Sequence, residues 1–173
     1  MKKISFLGAV VIALLLGSNV QAQAQVSGTV SLKLMPVQTI ALNTADVNLV
    51  YSTAASYSSG VDSTSANQLT CFSSSPFQIT VQATSVDVNM PNVTLTPSAG
   101  SSALGGLPTY AAALGVNNIS SATPFITSTV GSNNANFKIE YKAPVVDVST
   151  NTLHNSASGT TYTAHLTYTI VPQ

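Results

Sequence analysis

Alternation of apolar and polar residues with a period of two is the feature that most constrains the fold of this chain. In the closing stretch TTYTAHLTYTIVPQ (160–173), the row Tyr162, Ala164, Leu166, Tyr168 and Ile170 alternates with threonines and one histidine. The stretches FQITVQAT (77–84) and FKIEYK (137–142) alternate in the same way. Because successive side chains of a β-strand point to opposite faces, this period predicts half-buried strands rather than helices.

Similar segments recur along the chain, and stretches rich in Ser, Asn and Gly separate them. They are QVSGTVSLKLM, VQTIAL, DVNLVY, NQLTCF, NVTLTP and PFITSTV. Eight or nine closely spaced strands, each with one apolar face, predict an all-β fold: a single antiparallel β-sandwich of the Ig-like or pilin-like kind. A change of phase after Ala83 predicts a bulge at Thr84–Ser85. The stretch TYAAALG, 109–115, is the one candidate for a short helix.

The N-terminus has the pattern of a secretory signal peptide. Lys2 and Lys3 precede an apolar run over residues 4–16, and the small residues of VQAQA follow. The run is shorter than the ~20 residues that span a bilayer, so we predict cleavage rather than anchoring. We therefore expect a signal peptide at 1–24 and one β-sandwich domain at 25–173, without a transmembrane segment in the mature chain. The expected location is the periplasm, the cell surface or the extracellular space.

The low charge of the chain excludes several kinds of partner. Only 6% of residues are charged, none is Arg, and 45% are hydrophobic. Such a chain has too few cations to neutralise nucleic-acid phosphates or to bind an anionic membrane surface. Its hydrophobic content is too high for a disordered chain. The sequence therefore predicts a folded protein that does not bind nucleic acid.

Residues able to carry catalysis are scarce and widely separated. The two histidines are His154, in a loop-like stretch, and His165, on the polar side of the closing strand. No G-x-S-x-G elbow, phosphate-binding loop or paired zinc ligands are present. Cys71 shares the apolar side of its strand with Leu69, which predicts a buried thiol. We expect a protein that is not an enzyme and that has no cofactor and no metal.

Carbohydrate binding is an alternative function that the sequence leaves open. Secreted β-sandwiches often bind polysaccharides, with aromatic rings stacked on the sugars, but this chain has no Trp. Most Tyr and Phe residues fall on the apolar sides of strands. Tyr57 and Tyr110 lie in loop-like stretches and are the candidate ligand contacts under this alternative.

The signal peptide, the Ser/Thr/Asn-rich mature chain with few charges and the closing strand SGTTYTAHLTYTIVPQ together resemble bacterial fimbrial, pilin-like or coat-type surface proteins. This resemblance implies a structural or adhesive role outside the cell, with other copies of the chain or other surface proteins as partners. It also implies assembly by strand addition, in which a segment of one subunit completes the sheet of the next.

The candidate donor segment for strand addition is the new N-terminus, 26–34. Its apolar side carries Val26, Val30, Leu32 and Leu34. The alternative is that this segment forms the first strand of its own sandwich, since an unpaired apolar strand promotes aggregation. The regular closing strand predicts that the domain supplies its own last strand, which leaves assembly to the N-terminal end.

Overall fold

The structure is a computed structural model that describes residues 27–102, 106, 108–148 and 159–173. The predicted signal peptide, Val26 and His154 lie outside the described residues. The chain divides into two units, Met1–Leu34 and Met35–Gln173. In the first unit, the described residues 27–34 have no regular secondary structure, so the strand expected from their alternation is not formed.

The second unit, in its described part, consists of nine strands in two antiparallel sheets, an arrangement consistent with a β-sandwich. The first sheet has the order β1-β2-β8-β4-β6, and the second sheet has the order β5-β7-β3-β9. The strands are β1 (Gln38–Leu42), β2 (Val61–Ser73), β3 (Phe77–Val86), β4 (Thr94–Ala99), β5 (Thr109–Tyr110), β6 (Leu114–Gly115), β7 (Thr123–Ser128), β8 (Ser132–Ala143) and β9 (Ala164–Pro172).

The core consists of the apolar rows that the alternation predicts. On β3, Phe77, Ile79 and Val81 are completely buried, and the polar residues between them face outward. Phe137 and Ile139 on β8 are buried in the same way. Burial of each such side chain contributes about 1.5–3 kcal/mol to the stability of the fold.

The predicted bulge lies on β3, where the register of its pairing with β9 shifts between Ala83 and Ser85. One additional residue on β3 reverses which face the following side chains occupy. β3 ends shortly afterwards at Val86, and Val88 is 82% exposed. The alternation that the sequence shows beyond the bulge is therefore not continued as a strand.

A short helix that the sequence patterns did not indicate, α1 (Ala54–Ser59), precedes β2. Thr53 and Ser56 form a capping box, in which each side chain bonds the backbone N–H of the other residue. The helix stops at Gly60, whose φ of 78° favours glycine. An added Cβ there would also lie 2.5 Å from the carbonyl oxygen of Ala143.

Tertiary pairing overrides local sequence preference in two other segments, and a third segment that alternates stays unpaired. The expected helix at 109–115 is wrong, because its ends pair as β5 with β7 and as β6 with β4. Residues 61–65 are Ser-rich and turn-like, yet they form a ladder with β8. The stretch DVNLVY alternates but has no ladder; its apolar side chains Val47, Leu49 and Tyr51 still pack against the core.

The thiol of Cys71 is completely buried in β2, as its position beside Leu69 predicts. Burial raises the pKa of Cys71 to about 11, because the thiolate loses its hydration in the core. The reactive thiolate is therefore scarce at neutral pH, and reagents cannot reach the sulfur in the folded state.

We predict that Cys71 reacts with a thiol reagent such as Ellman's reagent only when the protein unfolds. At pH 8 the native protein should show almost no reaction, and full reaction should appear across the urea unfolding transition. The rate can be followed by absorbance, with unfolding followed by circular dichroism. Rapid stoichiometric labelling in buffer without urea would contradict the buried position.

A tyrosine pair joins the two sheets inside the sandwich. The hydroxyl groups of Tyr141 on β8 and Tyr168 on β9 lie 3.1 Å apart, within hydrogen-bonding distance. Burial raises the pKa of both side chains, most strongly that of Tyr168. A tyrosine whose pKa is raised on folding stabilises the protein fully below the unfolded value of about 10 and loses that contribution as the pH rises above it.

We predict that the free energy of unfolding falls steeply above pH ~10 and that Tyr168→Phe makes this fall shallower. The variant should lose roughly 1–2 kcal/mol at pH 8, because the hydroxyl of Tyr141 loses one of its hydrogen-bond partners. Urea unfolding followed by far-UV circular dichroism at pH 8–11 measures both effects. Phe77→Leu destabilises the protein without removing a titrating group, so its free energy of unfolding should fall with pH as steeply as that of the wild type. An equally steep fall in Tyr168→Phe would refute the role of the pair.

Candidate functional site: the free edge of strand β9

Strand β9 lies at the margin of the second sheet. It pairs along its whole length with β3. Among the described residues no strand pairs with its other side. With nine residues it is much longer than β5, the two-residue strand at the opposite margin of the same sheet. The long free side of β9 is therefore the main unpaired strand edge of this sheet.

The backbone groups on the free side of β9 can be assigned from the hydrogen bonds at its two ends. The N–H of Gln173 donates to the carbonyl oxygen of Pro76, and the N–H of Asp87 donates to that of Thr163. Odd-numbered residues therefore direct their N–H and C=O groups toward β3, and even-numbered residues direct theirs toward the free side. Such a row of unpaired donors and acceptors is a template for an added strand.

The core-facing side chains of β9 are only partly covered. Leu166, Tyr168 and Ile170 pack against the core and are partly buried, whereas the matching residues Ile79 and Val81 on β3 are completely buried. The difference arises because β3 has a strand on both sides and β9 has one on a single side. A row of partly covered apolar side chains, which we call the β9 groove, therefore lies along the free edge of β9.

The first sheet borders this groove with its own marginal strand. β1 approaches β9, and Ile40 on β1 is partly buried against the same core. The prediction that the domain supplies its own closing strand is confirmed, because β9 pairs with β3; β9 also forms the margin of its sheet, with no strand of the described residues on its other side. The sequence has no signal for this, because strand order depends on contacts between distant segments.

The residues leading into β9 are held to the end of β3. The Asp87 carboxylate accepts hydrogen bonds from the backbone N–H of Thr163, at 2.7 Å, and from its hydroxyl, at 2.9 Å. These hydrogen bonds lower the pKa of Asp87. A hollow of about 430 Å³ lies beside Asp87, and Asn117 also lines it. The side-chain amide of Asn117 donates a hydrogen bond to the carbonyl oxygen of Met90. We infer that Asp87 and Asn117 hold the neighbouring loops in place.

The predicted donor residues are strongly exposed. Val30, Leu32 and Leu34 are 97%, 83% and 82% exposed, respectively, and Val26 lies outside the described residues. Three apolar side chains on one side of an unpaired segment are what a donor strand requires.

The structure separates the two candidate carbohydrate contacts. The ring of Tyr57 packs against that of Tyr51, with centroids 5.2 Å apart, and its carbonyl accepts from Val146, just beyond the end of β8. Tyr110 packs edge-on against Phe137, with centroids 6.4 Å apart, and burial raises its pKa. Phe137 lies six residues before the end of β8 at Ala143, roughly 20 Å along the strand. The two tyrosines therefore do not form one stacking platform.

In the part of the chain that the structure describes, no three His, Cys, Asp or Glu side chains come together to hold a metal ion. None of the helices in that part is long and apolar enough to cross a membrane. Searches of protein-family models, curated proteins and solved structures found no match to this chain.

We predict that hydrogen exchange distinguishes the two sides of β9. In the monomer, the amides of Leu166, Tyr168 and Ile170 should exchange much faster than those of Thr167 and Thr169, which point toward β3. NMR after transfer to D₂O measures each amide separately. Equal protection of the two sets in the monomer would show that the free side already has a partner.

Proposed function

We propose that this is a secreted, non-enzymatic surface protein with a structural or adhesive role, which assembles by strand addition. Segment 26–34 of one copy is the donor, and the free edge of β9 in the next copy is the acceptor. In this proposal the fold is a pilin-like sandwich that another copy completes. The observation that supports it most is the long free edge of β9, along which the apolar side chains of the β9 groove are only partly covered.

The donor and the acceptor match in length and in pattern. Segment 26–34 has nine residues, as does β9, and nine residues of strand span roughly 30 Å. Backbone groups of the donor would pair with those that β9 directs outward. Val30, Leu32 and Leu34 would enter the groove beside Leu166 and Tyr168. Backbone bonds then provide affinity, and the alternate side chains set the register.

The composition of the surface supports self-assembly. Uncharged polar residues cover most of it, and the chain carries only five basic and five acidic residues in total. Surfaces of low net charge oppose association less than strongly charged ones do. Copies of this protein can therefore approach one another without strong electrostatic repulsion.

The proposal predicts that charge on the apolar side of the donor prevents assembly. The processed full-length chain should form polymers, and Val30→Asp combined with Leu32→Asp should leave monomers, because a carboxylate in the groove loses its hydration. Since both residues are exposed, the variant should change the free energy of unfolding by no more than about 0.5 kcal/mol. Light scattering after gel filtration and electron microscopy measure the assembly.

The matched control places the same two charges on the other side of the segment. Thr29→Asp combined with Ser31→Asp should still polymerise, because these side chains would point away from the groove. A wild-type protein that stays monomeric at millimolar concentration would disprove the proposal. Equal loss of assembly in both variants would show that charge alone, rather than strand pairing, controls association.

A further inference from the structure

The outer face of the second sheet differs in chemistry from that of the first. The described strands β5, β7, β3 and β9 contain no Asp, Glu, Lys or Arg. The outward side chains of the first sheet, in contrast, include Asp62, Lys138, Glu140 and Lys142. We call this surface, which has no Asp, Glu, Lys or Arg, the Thr/Gln face; its members are Gln78, Thr80, Gln82, Thr84, Thr127, His165, Thr167 and Thr169.

Hydrogen bonds to neighbouring segments hold the outward side chains of β3 in place. The Gln78 amide donates to the hydroxyl of Thr127, at 3.2 Å, and the Gln82 amide donates to the carbonyl of Ser120, at 2.8 Å. The hydroxyls of Thr80 and Thr84 reach carbonyl oxygens of β9 at 3.5 Å and 3.3 Å, respectively. Side chains fixed in this way lose little conformational entropy when a ligand binds.

These internal bonds leave both acceptors and donors available. Gln78 and Gln82 each bond through one N–H of the amide, so the Oε1 atom and the second N–H of each stay available. The hydroxyls of Thr127, Thr167 and Thr169 can donate or accept. The described Thr/Gln face therefore presents an uncharged set of hydrogen-bonding groups of both kinds.

We propose that the Thr/Gln face binds a neutral, hydroxyl-rich polysaccharide. Sugar hydroxyls both donate and accept hydrogen bonds, as the available groups of this face do, and a neutral chain loses no ionic hydration on binding. An anionic polymer would find no Lys or Arg on this face.

This site is separate from the edge that accepts a donor strand. The Thr/Gln face lies on the outward side of β9, whereas the groove lies on its core-facing side. It also does not involve Tyr57 or Tyr110, the aromatic contacts considered from the sequence. A face without aromatic rings binds each sugar weakly, so retention comes from many contacts along one polymer and increases when subunits are linked.

The experiment compares two matched pairs of substitutions on neutral polysaccharides. Gln78→Met combined with Gln82→Met keeps the side-chain length but removes the amide oxygens. Thr64→Met combined with Thr96→Met makes a similar change on the outer face of the first sheet. Pull-down on cellulose, curdlan, mannan and cross-linked dextran at pH 8, with alginate beads as the anionic comparison, measures the bound fraction.

The wild-type chain should be retained on at least one neutral polysaccharide and not on alginate. On that polysaccharide, the variant with Gln78→Met and Gln82→Met should bind at least fivefold more weakly than the control with Thr64→Met and Thr96→Met. Absence of retention on all four neutral polymers, or equal binding by the two variants, would overturn the proposal. Because polymerisation increases retention, the comparison is repeated with Val30→Asp and Leu32→Asp also present. Specific binding by that monomer would support the Thr/Gln face even if strand addition failed.

Discussion

The pairing of β3 with β9 is the interaction on which both candidate surfaces of this protein depend. It places the last strand at the margin of the second sheet and directs half of its backbone groups outward. It leaves Leu166, Tyr168 and Ile170 partly rather than completely buried, since a side chain at the margin has a neighbouring strand on one side only. It also aligns the threonines of β9 with the outward side chains of β3, so the free edge and the Thr/Gln face have a common origin.

The first sheet depends instead on the long ladder between β2 and β8. This ladder extends from Val61 opposite Ala143 to Ser73 opposite Ser132, with two irregularities in register. It draws the turn-like residues 61–65 into a strand, because the backbone bonds gained along a continuous ladder outweigh a weak local preference. The outward charges of β8 then lie on the solvated face of this sheet. Electrostatic interactions of the protein are thus concentrated away from the Thr/Gln face.

The two surfaces suit two different partners. An edge of unpaired backbone groups beside an apolar groove suits a strand, because only another backbone can satisfy regularly spaced donors and acceptors. A face of amide and hydroxyl groups without Asp, Glu, Lys or Arg suits a ligand that makes many hydrogen bonds and carries no charge. A subunit with both surfaces would link copies of itself into a fibre and attach that fibre to a polysaccharide.

Much of the architecture follows from the sequence alone. The period of two determines which side chains of β3 and β8 enter the core, the change of phase locates the bulge after Ala83, and the position of Cys71 beside Leu69 predicts its burial. These features are local: they depend on which way consecutive side chains point, and that direction has a period of two in any strand.

The tertiary structure decided which strands are neighbours, and through that which edges are free. Alternation in residues 27–34 and in DVNLVY looks the same as alternation in β3, yet neither segment joins a ladder. The ends of TYAAALG became strands because partners in β7 and β4 were available. The free edge of β9 likewise depends on strand order. Pairing joins segments far apart in the chain, so no local pattern in this sequence could specify it.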